Sequence, residues 1–87
     1  MLLAEAFLLD SDAFVRLEAV RQIGETGQQE QASRIAKLLD DEHPGVRRAA
    51  ALALGHLFGT SWRVEDMNIV ETARLWWCEY AAILHTR

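Results

Sequence analysis

The stretch LLDDEHPGVRRAAALALG, Leu38 to Gly55, reads as an acidic turn feeding an apolar helix, and LLDSDAFVRLEAVRQIG, Leu8 to Gly24, is an earlier copy of it. Laying Val15 on Val46 puts Arg16 on Arg47, Ala19 on Ala50, Ile23 on Leu54 and Gly24 on Gly55, an offset of 31 positions. The leading Leu-Leu-Asp triplets fall one residue out of step, so the two turns differ in length. Self-similarity at such a period marks stacked supersecondary units, each of which buries its apolar face only against a neighbour. The predicted fold is all-α, a short right-handed α-α solenoid of about five helices closed by a long C-terminal capping helix. One domain spans residues 1–87, with repeats at about 1–27 and 28–59 and a degenerate third unit or cap at 60–87.

Outward from the two copies, Leu2 to Leu9 reads as a short first helix closed by the Asp10-Ser11-Asp12 turn. The next helix begins after Ser11 or Asp12, whose side-chain oxygens accept from the free amides of a first turn, and runs to about Glu25. Gly24 and Gly27 offer the positive-φ freedom that ends helices. A third helix from Gln28 or Gln29 to Leu39 carries Ala32, Ile35, Ala36 and Leu39 as one buried stripe. Pro44 suits the first turn of a fourth helix reaching about Phe58, with Val46, Ala50, Ala53, Leu54 and Leu57 on its inner side. After Gly59 the repeat fades. From about Ser61 or Glu65 one helix continues to Thr86, with Asp66, Ile69, Val70, Ala73, Trp76, Trp77, Tyr80, Ala81 and Leu84 along a wide apolar face.

The residues Leu38-Leu39-Asp40-Asp41, followed by Pro44, Val46, Arg47, Ala49, Ala50, Leu54 and Gly55, resemble the HEAT repeat, in particular the HEAT-like repeat of the phycobilisome lyase (PBS lyase) type. The first copy shares Asp10, Asp12, Val15, Arg16, Ala19, Ile23 and Gly24, but has Ala13 where the family prefers Pro and Glu18 where it prefers a small residue. His43 stands where the family has Asp before the Pro. The resemblance covers roughly Leu8 to Phe58. It implies that the arginine after the buried valine reaches an aspartate in an adjacent turn, pairing Arg16 and Arg47 with Asp10, Asp40 or Asp41. It also implies that the inner helices line a concave surface, where the aligned positions without a core role are Leu17 and Arg48, Arg21 and Leu52, and Glu25 and His56. On activity it is nearly silent, because scaffolds, assembly factors, lyase subunits and DNA glycosylases share the repeat.

Eighty-seven residues make one small domain that buries only roughly 60 to 65% of its unfolded surface, so partners would add to a modest stability. Thirteen acids against nine bases give a net charge of −4, which disfavours phosphate backbones as ligands. No apolar run approaches the ~20 residues of a membrane span, and no basic residue precedes the apolar start as in a cleavable signal. The single cysteine, Cys78, forms no internal disulfide, and a reducing, cytoplasmic setting is the simplest.

All three tryptophans, Trp62, Trp76 and Trp77, and the only tyrosine, Tyr80, lie in the last 26 residues. Neighbouring Trp76 and Trp77 stand about 100° apart on a helix and cannot both enter one narrow seam. With Leu75, Cys78, Ile83 and Leu84 nearby, this helix has more apolar surface than a cap requires. Either the tryptophans plug the end of a thin core, or Trp76, Trp77, Tyr80 and Ile83 dock a partner or a second copy, giving a homodimer through the last helix. Leu17, Arg21, Arg48, Leu52 and His56 form the other candidate protein-binding surface, with ordinary solvated positions as the alternative.

Catalytic and metal signals are weak. His43, His56 and His85 lack structural zinc spacing, and Cys78 with His85 supplies only two ligands. An anion site at Arg16, Arg47 and Arg48 is disfavoured by the adjacent acids. Beside Glu79 and two aromatics, Cys78 reads as a packed small hydrophobe rather than a nucleophile. No catalytic residue, cofactor site or metal site is assigned. The sequence points to a noncatalytic protein–protein interaction module, a small adaptor or assembly factor with a protein partner and no nucleic-acid or membrane role. The alternative is an accessory subunit or chaperone related to phycobilin lyases, acting in tetrapyrrole attachment. A nucleic-acid enzyme of the glycosylase kind is disfavoured by the acidity.

Overall fold

A computed structural model describes residues 4–59 and 68–85. Two stacked helical hairpins and one further helix make up the described residues, with no strand among them. The first predicted helix is reduced to a single 3-10 turn, Ala4–Phe7, while Leu2 and Leu3 lie outside the described residues.

Helix α1 spans Ala13–Thr26. Its start is set by Asp12, whose carboxylate accepts from the Phe14 amide at 2.9 Å, and its end by Gly27 at φ 71°, whose amide donates to the Ile23 carbonyl. Gly24, predicted to share this terminating role, instead lies inside the helix and serves packing. Asp12→Ala should destabilise the fold by about 1 kcal/mol, read as a lower urea midpoint at unchanged slope.

The third predicted helix is a composite: a 3-10 turn Gln29–Gln31, helix α2 Ala32–Lys37, and a second 3-10 turn Leu38–Asp40. Neither Gln28 nor Gln31 supplies a side-chain cap, and uncapped ends commonly tighten to 3-10 geometry. Its stripe of Ala32, Ile35, Ala36 and Leu39 is buried as the spacing predicts. Helix α3 spans Pro44–Phe58 and ends at Gly59, φ 67°. His43 replaces the missing aspartate at its start, because Nδ1 accepts from the Gly45 amide at 3.0 Å. Val46, Ala50, Ala53, Leu54 and Leu57 are all buried.

Helix α4 spans Ile69–His85. The expected starts at Ser61 or Glu65, together with Trp62 and Asp66, lie outside the described residues, as does Thr86. Ile69 and Ala73 enter the common core, and Val70 and Trp77 pack on it in part. Arg74 ties α4 to the end of the α2 segment, donating to the Leu39 carbonyl at 3.2 Å and the Asp40 carboxylate at 2.8 Å. No helix among the described residues is long and apolar enough to cross a membrane.

The core is one cluster in which Val20 and Ile23 of α1, Ile35 of α2, Val46 and Leu54 of α3 and Ile69 of α4 are fully buried. Helices α1 and α3 make its tightest contact. A Cβ placed on Gly24 would lie 3.1 Å from both Cα and Cβ of Ala53, so glycine gives this approach its fit and any side chain would push α3 outward by a few tenths of an ångström.

Candidate functional site

The two repeat arginines do different work. Arg16 donates through Nη1 to the carbonyls of Asp10 and Ser11, at 2.8 and 3.2 Å, closing its own turn. Its Nε and Nη2 then reach the turn of the next repeat, meeting both oxygens of Asp41 at 3.0 Å each. Both side chains are only 9% exposed, which makes this bidentate pair the polar tie between the repeats. Burial works against the Asp41 carboxylate, but the Arg16 hydrogen bonds, the His43 amide and the neighbouring positive charge outweigh it and hold its pKa below the ordinary carboxylate range. The Asp41 hydrogen bond correspondingly raises the Arg16 pKa and keeps the guanidinium charged. Arg47 repeats only the local half of the pattern, donating to the carbonyls of Asp41 and Glu42 at 2.7 and 3.3 Å, and not to a carboxylate as the resemblance implied. Both arginines thus serve the turns, Arg16 through carbonyls and the Asp41 carboxylate and Arg47 through carbonyls alone.

Along the α1–α3 contact lies a groove of about 600 Å³. All six positions singled out from the repeat alignment line it: Leu17, Arg21 and Glu25 along α1, and Arg48, Leu52 and His56 along α3. The four-residue spacing places each trio on one helical row, so the rows form two rims. Between them the floor is Gly24, Gly45, Ala49 and Ala53. Periodicity of large apolar residues could not reveal this floor, although the small residues at positions 45, 49 and 53 also recur every four and were a legible sign. A side chain at Gly45 would crowd the His43 ring at 3.0 Å and Leu17 at 3.3 Å, so the floor stays open.

The rims are unequal in charge. On α1, Arg21 is held by Glu18 on one side and Glu25 on the other, each through a contact of 2.8 Å. The Arg21 hydrogen bond lowers the Glu18 pKa, and Glu18 in turn raises that of Arg21. On this rim the charges of Arg21 and Glu25 cancel, whereas the α3 rim carries Arg48 and His56. Such a surface offers apolar contact bordered by polar groups, the composition of a protein interface.

The aromatic residues of α4 occupy a different region. Trp76 and Tyr80 stack at 5.2 Å with 9° between their planes, and both lean on Phe58 at the end of α3, at 5.2 and 4.9 Å. Trp77 joins at 5.6 Å from Tyr80. All three are half-buried, so the cluster fastens α4 to α3 while leaving part of each ring in solvent. The large apolar residues that point outward are Leu75 and Ile83, 61% and 58% exposed. Phe58, the anchor of the cluster, was not singled out from sequence, because a terminal helical aromatic reads equally as a cap residue.

Cys78 corrects an expectation: it is exposed, not packed, because it projects from the side of α4 opposite Ala73. Among the described residues no group of three or more His, Cys, Asp or Glu side chains could hold a metal ion.

Comparison with known proteins places this architecture. No curated protein and no solved structure matches the chain. A family model described as HEAT repeats matches residues 2–67, a span that takes in both hairpins and the groove between α1 and α3. HEAT repeats generally mediate protein–protein interaction, and by this match and its stacked hairpins the chain belongs to the HEAT repeat family.

Proposed function

We propose that this chain is a noncatalytic protein-binding module, a small adaptor or assembly factor whose docking surface is the groove between α1 and α3. The observation that carries this reading is the convergence of Leu17, Arg21, Glu25, Arg48, Leu52 and His56 from two repeats around one apolar floor. A groove of that shape accepts an amphipathic helix or an extended segment with apolar anchors. The acidic balance of the whole chain favours such a partner over a polyanion. Cytoplasmic placement belongs to the same reading and is supported by the single unpaired cysteine.

A peptide-display selection against the folded protein tests it. Peptides recovered on wild type should lose retention at least about tenfold on Leu52→Arg, a change of roughly 1.4 kcal/mol, because the variant places a charge over the apolar floor. Equal retention on both proteins would contradict the assignment. The turn and helix residues of the second copy resemble the PBS lyase type of repeat, and an accessory role in tetrapyrrole attachment is the alternative that this resemblance suggests. A bilin added to the protein should then change its absorbance, and an unchanged spectrum would remove that alternative.

A further inference from the structure

A second cavity lies where the aromatic residues of α4 meet the start of the α2 segment. Its volume is about 360 Å³, at the small end of the roughly 300–1,000 Å³ typical of ligand sites, and it shares no lining residue with the α1–α3 groove. Phe58, Trp77 and Tyr80 line it with rings, and Gln29, Glu30 and Ser33 line it with polar side chains. The Gln29 side-chain amide donates to the Leu57 carbonyl at 2.7 Å, which fixes the 3-10 turn beside the end of α3 and so holds the two linings together. Glu30, the next residue, is exposed, and among the described residues no hydrogen bond or ion pair engages its carboxylate.

Aromatic faces and a carboxylate around one space favour positive charge, the faces through their quadrupoles and the carboxylate by direct attraction. Among the described residues no lysine or arginine lines the cavity, so an anion would meet only the repulsion of Glu30. The kind of cation follows from the shape. Phe58 and Trp77 are inclined to Tyr80 by 51° and 35°, with centroids 4.9 and 5.6 Å from it, so the rings make a curved wall with no common plane. A flat guanidinium stacks best on a single plane. A bare ammonium brings three N–H donors and a tightly held water shell to rings that accept no ordinary hydrogen bond. An ammonium with methyl groups in place of those protons needs no acceptor, and its methyls pack on inclined rings while its charge stays beside the carboxylate. From this match we infer that the cavity between Phe58, Trp77 and Tyr80 binds a quaternary ammonium group, with Glu30 as its counter-ion. A trimethylated lysine side chain and a free compound of the choline kind share that chemistry.

Titration of the labelled full chain with choline, followed in amide and indole N–H spectra, tests this against the neutral isostere in which carbon replaces the ammonium nitrogen. Choline should shift the Trp77 indole and the Glu30 and Ser33 amides saturably, and should bind at least about tenfold tighter than the isostere. Glu30→Gln, at an exposed position, should weaken choline binding at least about threefold while the circular dichroism and melting temperature stay as in wild type. Tyr80→Leu should abolish binding, and Glu30→Gln carries the test if that variant does not fold. The amide of acetylated trimethyllysine is the second probe. Tighter binding than choline assigns the site to a protein side chain, and equal or weaker binding assigns it to a free ammonium compound. Equal affinity for choline and its isostere, no saturable shift from choline, or an unchanged affinity in Glu30→Gln would each overturn the inference. Peptide retention on Leu52→Arg is unaffected by any of these results, so the cavity and the groove stand or fail separately.

Discussion

Asp41→Ala should lower the melting temperature by more than about 10 °C, the largest loss expected from any single polar side chain here. The substitution strips the Arg16 guanidinium, 9% exposed at its side chain, of its bidentate partner and leaves it the carbonyls of Asp10 and Ser11 and the exposed Glu42 carboxylate at 4.0 Å. It also removes the acceptor for the His43 amide, at 2.9 Å, just before α3 begins. Turn geometry and the contact between repeats therefore fail together. Arg16→Ala should cost less, because it leaves Asp41 with the His43 amide and with access to water. Near-equal melting temperatures for wild type and Asp41→Ala would remove this pair from its structural role.

The same pair sets an acid limit. Asp41 has a folded pKa below its unfolded value, so its contribution is fully present above the unfolded value of about 3.8. It is lost as pH falls from there through the folded value. In urea titrations from neutral pH downward, wild type should lose stability more steeply than Asp41→Ala below about pH 4, and the two curves should converge in strong acid.

The second large effect is at the helix crossing. Gly24→Val should cost about 3 kcal/mol, because its Cβ alone would fall 3.1 Å from the Ala53 backbone and the added methyls need room that α3 does not leave. Gly24→Ala should cost less, since the better helix preference of alanine, about 1 kcal/mol, offsets part of the crowding. Chemical unfolding read by tryptophan fluorescence checks both. A neutral Gly24→Val would mean that α1 and α3 separate without loss, and the floor of the groove would then have no fixed shape.

The parts of this fold that could be read from residue order are those fixed by local chemistry or by the repeat. Asp12 acts at a helix end through its own carboxylate, Pro44 and Gly27 through their own backbones, and the buried stripes of α2 and α3 follow from period alone. The offset of 31 brought the six rim residues to the page before any coordinates, since equivalent positions in stacked units face the same way. What could not be read depends on partners distant in sequence. Gly24 resembles a terminator until Ala53 is seen against it. His43 resembles the loss of a cap until its ring nitrogen is seen accepting from Gly45. Arg47 looks equivalent to Arg16, yet the carboxylate 25 residues beyond Arg16 has only Thr72 as its counterpart beyond Arg47, so the ladder ends after one rung. The direction of the α4 aromatics is set by Phe58, the last residue of α3, and no period within α4 encodes that contact.

Binding at the α1–α3 groove is tested most directly by the amide and methyl spectra of labelled protein titrated with a peptide selected on it. The shifts should be largest at Leu17, Arg21, Arg48, Leu52 and His56, with Gly45 and Ala49 moving beneath them. Shifts confined to Trp76, Trp77, Tyr80 and Ile83, with the groove residues unmoved, would contradict the assignment and return the docking surface to the last helix.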